Sequence, residues 1–470
     1  MKRLLSLLLI AASLAGCVST PSTTPSETAL KPETLGLGPG QTPPIADRWW
    51  TSFGDPQLDT LVAEALKGNP SLAAAMARLR AAQSQLAAAH AQTYPQATLD
   101  GNVVRERLSK DYIIPPPFGG TTRWIGQIQA NLSWSLDLFG KEQDQIDRAG
   151  ATARAAGLDA EAARLMLAGS VTQAYIALDR AYALADVAEE AVKEREGIAT
   201  LTNGRVKAGL DTIASQKQAE ALLAVAREDL IRARADRELA VHQIAALIGR
   251  GADAYTIARP RLNADALTLP GTLPADLLAR RADVAAAEAR VESAVAGREV
   301  ARKAFYPDIN LIGLVGVAAI GLGPLFSKDA LQYGAGPAIH LPIFDAGKIR
   351  AGYAGATADL DQAVANYNET VTGAVKQTAD SLTQLRAVTD EAAQQRAALS
   401  AARASFDFAT RRYRSGLSPQ QNALDAQATL IQAQRQYAAL SSDTASSRVA
   451  LLMALGGGFS PSKDIDHEQR

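Results

Sequence analysis

Residues 124–138 read Trp-Ile-Gly-Gln-Ile-Gln-Ala-Asn-Leu-Ser-Trp-Ser-Leu-Asp-Leu, and an apolar or small side chain fills every even position of this stretch. The odd positions after Ile125 carry glutamine, asparagine, serine and aspartate. This period of two predicts a β-strand with one apolar face and one polar face. A tilted strand needs roughly 9–11 residues to cross a bilayer, and this stretch is longer. It therefore predicts a membrane-spanning strand.

The predicted strand belongs to a hairpin, and a second hairpin follows later in the chain. We expect the first hairpin over residues 96–139, with three consecutive prolines in its loop, and the second over residues 308–345. Residues 311–325 are almost wholly apolar, so a membrane helix is the alternative there. That run is too short for such a helix, contains four glycines and includes Pro324, which together favour strands.

Four ordered sequence matches, about 205–212 residues apart, indicate an internal duplication. The matched pairs are Tyr94 with Tyr306, Phe139 with Phe344, Gly209 with Gly416, and Gly249 with Gly456. The first structural repeat is expected over residues 49–255 and the second over residues 275–457. An inter-repeat linker (256–274) and a C-terminal tail (458–470) complete this division.

Each repeat is predicted to contain a helix, the β-hairpin and then two long helices. The long helices are expected at 141–202 and 211–249 in the first repeat, and at 347–414 and 419–456 in the second. At 1.5 Å per residue, the helix 347–414 would be on the order of 100 Å long, so we expect the helices to pack side by side as coiled coils. Heptad spacing supports this at Leu223, Ala226, Leu230, Ala233, Arg237, Ala240, Ile244 and Leu247, and again about 207 residues later at Leu430, Ala433, Tyr437, Leu440, Thr444, Ser447, Leu451 and Ala454.

Four strands cannot close a barrel, yet an open sheet edge does not occur in hydrocarbon because each unpaired backbone group costs several kcal/mol. Several chains must therefore pool their strands. Known barrels start at 8 strands. Three chains with twelve strands are the natural small solution, although two or four chains remain open on this argument.

The N-terminus has the pattern of a secretory signal peptide over residues 1–16, with Lys2 and Arg3 before an apolar segment. Leu14-Ala-Gly-Cys17 resembles the lipobox of bacterial lipoproteins, in which Cys17 becomes the lipidated first residue. Residues 17–48, rich in Ser, Thr, Pro and Gly, are then expected to form a lipid-anchored tether. The alternative is an ordinary signal peptide with an incidental cysteine.

Composition and motifs exclude several classes of function. The 48 basic and 49 acidic residues leave a net charge of −1, which argues against a nucleic-acid partner. The four histidines are scattered, Cys17 is the one cysteine, and we find no nucleophile elbow, phosphate loop or metal-ligand motif. We therefore expect no enzyme activity, no cofactor and no metal. A self-sufficient porin would need more strands, and a purely structural coiled coil would leave the hairpins unexplained.

A set of ordered motifs resembles the outer-membrane factor (TolC-like) efflux family, in its NodT-type lipoprotein branch. The motifs include Trp49-Trp50, Phe53-Gly-Asp-Pro56, Leu136-Asp-Leu-Phe-Gly140, Arg280-Arg-Ala-Asp-Val284, Phe305-Tyr-Pro307 and Pro342-Ile-Phe-Asp-Ala-Gly-Lys348. The resemblance implies an α+β membrane protein: a homotrimer whose 12-stranded transmembrane β-barrel, with four strands per chain, continues as a long coiled-coil α-helical barrel. We expect Trp49 and Trp50 to anchor the core.

The resemblance also implies a function and partners. We expect a duct in the outer membrane of a Gram-negative bacterium, lipid-anchored and extending into the periplasm, which passively conducts small molecules. Its implied partners are outer-membrane lipid, a periplasmic adaptor (membrane fusion protein) and an inner-membrane pump, typically of the resistance-nodulation-division type. The outer-membrane duct of a type I protein secretion system is the alternative.

The resemblance assigns roles to residues near the two inter-helix turns. Asn422 and Asp425 are candidates for the pore aperture, although Asp425 is also readable as an ordinary exposed carboxylate. Tyr413 is a candidate aperture latch, but its acidic partner is in doubt because the related first-repeat position is Ser215. The turns themselves are expected to contact the adaptor, or to serve only as helix caps, through Arg205, Lys207, Gly209, Leu210, Arg412, Arg414, Gly416 and Leu417.

Overall fold

The computed structural model describes residues 23–35, 45–111, 113–251, 256–263 and 275–459. The expected signal peptide, Cys17 and most of the C-terminal tail lie outside these ranges. The helices and strands are α1 (Pro56–Gly68), α2 (Pro70–Gln92), β1 (Gln96–Arg107), β2 (Thr122–Ser135), α3 (Lys141–Lys207), α4 (Ile213–Leu247), α5 (Ala282–Lys303), β3 (Asp308–Ile320), β4 (Leu331–His340), α6 (Lys348–Arg414) and α7 (Gln420–Ala454).

The observed element bounds differ from the expected ones in a few places. The helix expected to end at 202 continues to Lys207, because the turn glycine at 209 rather than the preceding polar residues ends it. The strands also end before the expected hairpin limits at 139 and 345, since β2 ends at Ser135 and β4 ends at His340. In the first repeat two helices precede the hairpin instead of one. The first, α1, ends at Asn69, whose backbone amide donates to Ala65 O, and a new helix begins at Pro70.

The chain divides into two compact units. The strand unit contains Arg78–Ala156 and Ala287–Tyr367, with all four strands. The strands form one antiparallel sheet in the order β1-β2-β3-β4. The pairing of β2 with β3 joins the hairpins of the two repeats, since Asn131 lies opposite Leu314. Because Asp308–Ile320 is a strand, the helix alternative for the apolar run is excluded.

One face of the sheet is apolar and exposed. Its exposed side chains come from all four strands: Leu99, Val103, Trp124, Leu132, Trp134, Val315, Leu331, Tyr333 and Ile339. Leu99 is 74% exposed and Tyr333 is 80% exposed. Within the described residues, β1 and β4 each have a strand partner on one side only. The sheet therefore presents an uncovered apolar face and two unpaired edges.

The helix unit contains Leu30–Ala77, Gly157–Ala286 and Asn368–Arg470, and has the main buried core. Trp49 and Trp50 lie in this core, as expected from the sequence. The buried Tyr175 donates its hydroxyl to Asp55 Oδ2 over 2.7 Å, and Asp55 also caps α1 by accepting the Gln57 amide. The aromatic residues at the start of the first repeat are thus held against the middle of α3.

The predicted heptad positions of α4 and α7 are all buried or half-buried. On α7, Leu430 and Ala433 pack with Ala402 of α6, and Leu399 and Phe406 cover this cluster. The apolar stripe of α7 therefore faces α6, as in a coiled coil.

None of the helices in the described ranges is both long enough and apolar enough to cross a membrane.

Two duplicated glycines close the ends of α4 and α7. Gly249 and Gly456 both have positive φ, 76° and 103°. A Cβ at Gly249 would lie 2.3 Å from Gly68 O, and one at Gly456 would lie 1.9 Å from Arg280 O. These positions therefore need glycine for conformation and for close backbone approach.

We predict that Gly456→Ala destabilises the protein far more than Gly54→Ala. Gly54 also has a positive φ (70°), but a Cβ there would meet no atom within 4 Å. Both variants incur about 1–2 kcal/mol from the left-handed conformation, and only Gly456→Ala adds a backbone clash. The thermal midpoint of the purified protein measures the difference, and equal shifts for the two variants would contradict this interpretation.

Candidate functional site

The two inter-helix turns have the same backbone geometry. In the first, the Leu210 amide donates to Arg205 O over 2.8 Å and the Gly209 amide donates to Val206 O. In the second, the Leu417 amide donates to Arg412 O over 2.9 Å and the Gly416 amide donates to Tyr413 O. Both glycines are left-handed, with φ of 73° and 74°. Each turn is a Schellman motif, so the duplication extends to the turns.

A hydrogen-bonded group of side chains, which we call the tip cluster, lies beside these turns: Thr202, Arg205, Asp211, Tyr413 and Gln420. Tyr413 is fully buried, and its hydroxyl donates to Asp211 Oδ2 over 2.7 Å. The same hydroxyl lies 2.9 Å from Thr202 Oγ1. Tyr413 therefore links the end of α6 to both sides of the first turn.

Arg205 and Gln420 complete the tip cluster. Arg205 Nε donates to Asp211 Oδ2 over 2.7 Å, and its guanidinium lies 4.9 Å from the centre of the Tyr413 ring. Gln420 Nε2 donates to Thr202 Oγ1 over 2.8 Å. Side chains from α3, α6, α7 and the first turn thus meet in one network. The charged pair at its centre is mostly buried, which strengthens its hydrogen bonds.

Burial raises the pKa of Tyr413, and the neighbouring Asp211 carboxylate raises it further. The hydrogen bond to Asp211 also raises the pKa of Arg205. Tyr413 is therefore a neutral hydrogen-bond donor, and Arg205 a cation, across the physiological pH range.

In the structure the acidic partner of Tyr413 is Asp211. Ser215, the family-related position six residues after Gly209, instead donates its amide to Thr212 Oγ1 as part of the α4 cap. Asp211 follows the turn directly. The available sequence signal was an acidic residue, Asp211, just after the first turn, together with a tyrosine, Tyr413, just before the second turn.

The predicted adaptor-contacting residues fall into two groups. Leu210 and Leu417 are 64% and 68% exposed, and Lys207, Arg412 and Arg414 are also exposed. Arg205 differs, because its guanidinium points into the tip cluster. The exposed turn surface is therefore apolar at its two leucines and cationic around them.

The two aperture candidates share the exposed side of α7. Asn422 and Asp425 are exposed, whereas Ala423 and Leu424 between them are buried. Gln421 Nε2 donates to Asp425 Oδ1 over 2.7 Å. Their spacing of three residues places both on one helix face, as expected.

Three glutamines of α7, spaced by seven residues, form a buried polar seam against α3 that the sequence analysis missed. Gln420 contacts Thr202, Gln427 Nε2 donates to Glu194 over 3.3 Å, and Gln434 Nε2 donates to Glu190 over 3.3 Å. All three glutamines are at most 6% exposed. Burial raises the pKa of Glu194. Glutamine in a helix is usually a surface residue, so the periodicity of apolar residues did not predict this buried seam.

The chain is similar to outer membrane efflux proteins. The family described as "Outer membrane efflux protein" matches residues 61–250 and 273–457. The fusaric acid resistance protein FusA of Burkholderia cepacia is 36% identical over 370 residues, which cover 76% of this chain and 69% of that protein. The probable efflux pump outer membrane protein TtgC of Pseudomonas putida is 29% identical over 466 residues, covering 97% and 96%.

Solved structures share the fold. The outer membrane protein VceC of Vibrio cholerae matches with a TM-score of 0.82 and 33% identity, covering 89% of this chain and all of that chain (100%). The outer-membrane channel OprN matches with a TM-score of 0.81 and 27% identity, covering 94% and 99%. The resemblance to TolC-like channels found in the sequence is confirmed.

We predict that Tyr413→Phe loosens the tip cluster. The variant keeps the ring beside Arg205 but loses the hydroxyl that donates to a carboxylate, an interaction of about 1.5–3 kcal/mol. Amide hydrogen exchange at the end of α3 should then be faster by roughly tenfold or more. Tyr437→Phe, on α7 and outside the tip cluster, is the control. Unchanged exchange in Tyr413→Phe would show that the hydroxyl does not hold the turns together.

A second prediction concerns pH and Glu194. Burial raises the pKa of Glu194 above 4.5 in the folded protein, because it disfavours the charged form. The neutral carboxyl therefore contributes stability below pH 4.5, and this contribution is lost as pH rises through the folded pKa. Arg195, Glu190 and Arg403 also act on this carboxyl. Glu194→Gln stays neutral at every pH, so the variant should gain thermal stability relative to wild type between pH 4.5 and 8. Thermal midpoints across this range measure the gain.

The matched control for this experiment is Glu189→Gln, an exposed glutamate of the same helix. Its stability difference from wild type should not follow the same pH trend. A constant difference between wild type and Glu194→Gln across the range would show that the carboxyl of Glu194 does not titrate with folding.

Proposed function

The chain belongs to the outer membrane efflux protein family, and we propose that it is the exit duct of a tripartite efflux system. In this proposal it passively conducts small molecules from an inner-membrane pump and a periplasmic adaptor across the periplasm and the outer membrane. The relatives are outer membrane channels of efflux pumps. FusA is a fusaric acid resistance protein and TtgC is a probable efflux pump protein, which supports small-molecule efflux over a protein secretion duct.

The observation that carries the proposal is the four-stranded sheet with an exposed apolar face and two unpaired edges. Such a face is unfavourable in water but suited to lipid. An unpaired edge is unfavourable in lipid, because its backbone groups would have no hydrogen-bond partners. Pairing β1 of one copy with β4 of the next satisfies both requirements.

We propose that three copies close a 12-stranded barrel. The two-repeat chain supplies four strands, so three chains supply twelve, and barrels with more than eight strands leave room for an aqueous interior. The apolar side chains then face lipid and the glutamine-rich face lines the passage. The long helices of the three copies continue the passage as a coiled-coil helical barrel.

Anchoring and location follow from the N-terminus. We propose that residues 1–16 are removed and that Cys17 is lipidated in the outer membrane, with residues 17–48 as the tether. Two residues of this segment contact α6, since the Ser26 amide and the Glu27 amide both donate to Asp361 Oδ1. Lipidation adds about 0.8 kcal/mol per buried methylene, which supplements the barrel in the membrane.

Closure of the duct is assigned to the tip cluster and to α7. Tyr413, held by Asp211 and Thr202, is proposed as the latch that keeps neighbouring helix pairs together. Asn422 and Asp425 are proposed to form a polar and an acidic ring at the aperture, because both lie on the exposed face of α7. Three carboxylates would repel each other, so helix packing and the tip cluster must supply closure.

The turns are proposed to meet the periplasmic adaptor. Their apolar centre at Leu210 and Leu417, surrounded by cations, suits a partner surface with apolar and acidic groups. The pump is proposed to be of the resistance-nodulation-division type. Arg205 serves this contact indirectly, by fixing the turn that presents Leu210.

We predict that Leu417→Asp abolishes export without preventing assembly. A carboxylate in an apolar contact costs several kcal/mol unless it is paired, so the adaptor should dissociate. The measurement is drug susceptibility of a host that lacks its own channel, together with heat-sensitive trimers on an unboiled gel. Phe326→Asp, at a 77% exposed aromatic residue between β3 and β4, is the matched control.

In this test Leu417→Asp should be as susceptible as the empty host while forming trimers, and Phe326→Asp should resist as wild type does. Normal resistance with Leu417→Asp would show that the turns are only helix caps. Absence of trimers for the wild-type chain would contradict the proposed duct itself.

A further inference from the structure

The polar face of the sheet has an ordered chain of side-chain amides, which we call the amide track: Gln127, Gln129, Asn131, Gln332 and Asp100. Gln127 Nε2 donates to Gln129 Oε1 over 2.6 Å, and Gln332 Nε2 donates to the same oxygen over 3.2 Å. Gln129 Nε2 donates in turn to Asn131 Oδ1. Asn131 Nδ2 donates to Asp100 Oδ2 over 2.7 Å.

The amide track has a direction. Each amide donates towards the next, and the chain ends on the Asp100 carboxylate, so the aligned dipoles stabilise its negative charge. Thr98 Oγ1 also lies 3.3 Å from Asp100 Oδ2. Among the described residues, Asp100 Oδ1 has no hydrogen-bond donor, which leaves that oxygen available to a cation.

A glycine lets the track cross the sheet. In register, Gln129 of β2 lies opposite Gly316 of β3, which lies opposite Gln332 of β4. A Cβ at Gly316 would lie 2.3 Å from Ile128 O and 2.6 Å from Gln129 Cα. Because no side chain stands between them, Gln332 reaches Gln129 across the intervening strand.

The charge of Asp100 is not opposed on this face. Of the other carboxylates that the four described strands place there, Glu106 lies opposite Arg123 in register, and Asp308 is 3.3 Å from Lys141 Nζ. The neighbours of Asp100 are an amide and a hydroxyl. Each protomer therefore contributes one uncompensated negative charge to the polar face, on the edge strand β1.

Apolar side chains lie on the same face, two strands away from Asp100. Ile312 and Leu314 of β3 are 47% and 38% exposed, and Leu314 lies opposite Asn131. Asp100 is in register with Gln129 and Gly316, so Leu314 is two strands away and two residues further along β3, which amounts to roughly 12 Å between backbones. A carboxylate and a leucine side chain at this separation match an organic cation with apolar arms of a few carbons.

We propose that this face is a weak binding site for amphiphilic organic cations in transit, with Asp100 binding the charged group and Leu314 contacting the apolar part. The inference rests on the proposed function, because the polar face must line the passage. Asp100 then makes the barrel prefer cations over anions, independently of the aperture.

The experiment uses the full-length protein in planar bilayers, in an Asp425→Asn background so that the aperture carboxylates do not contribute. The probes are tetrabutylammonium and tetramethylammonium, added to both sides. Asp100→Asn keeps the acceptor for Asn131 but removes the charge, so half-block by tetrabutylammonium should need about tenfold more probe. The potassium-to-chloride permeability ratio should fall as well. Asp111→Asn, in the β1–β2 loop, is the charge control and should change neither quantity.

The apolar contact is tested with Leu314→Thr. This variant should weaken block by tetrabutylammonium and leave block by tetramethylammonium unchanged, whereas Asp100→Asn should weaken both. If Asp100→Asn does not yield channels, Asp100→Ser serves in its place. Conducting Asp100 variants with unchanged block and permeability ratio would overturn the inference. Absence of channels with every variant and with the parent protein would instead contradict the proposed duct.

Discussion

Backbone hydrogen bonding at the two edges of the sheet is the constraint on which the proposed assembly depends. Four antiparallel strands satisfy the interior backbone groups, but β1 and β4 each leave one row unpaired among the described residues. In hydrocarbon these rows need partners, and a second copy of the chain supplies them in the correct orientation. In the proposed assembly, membrane insertion and the lining of the passage both follow from that pairing.

The internal duplication is also visible in how the helices of the two repeats end. The helices α3 and α6 both end in Schellman turns of the same geometry, and α4 and α7 both end at a glycine in close contact with a backbone carbonyl. The tip cluster then breaks the symmetry, because Tyr413 in the second turn binds Asp211 beside the first. A duplicated scaffold thus carries a polar contact that links its two repeats, at the turns where we propose that the duct closes.

Much of the fold was predictable because its signals are periodic. The alternation around Trp134 predicted β2, and the heptads of α4 and α7 predicted which side chains are buried. Asp211 and the seam of Gln420, Gln427 and Gln434 were missed for a physical reason. An α7 helix packed against both α6 and α3 buries a second stripe, and polar residues on that stripe are satisfied only by partners distant in sequence. Periodicity counts apolar residues, so it does not detect such pairs.

Inter-protomer crosslinking tests the central claim most directly. Gly101 has open space for a Cβ and lies on the apolar face of β1, so Gly101→Cys is combined in turn with a cysteine in place of Leu331, Tyr333, Ala335 or Ile339 on the same face of β4. Oxidation of membranes should give, for at least one pair, a ladder on a denaturing gel that ends at three chains. A ladder ending at two chains, one continuing beyond three, or no crosslink with any pair would contradict the account.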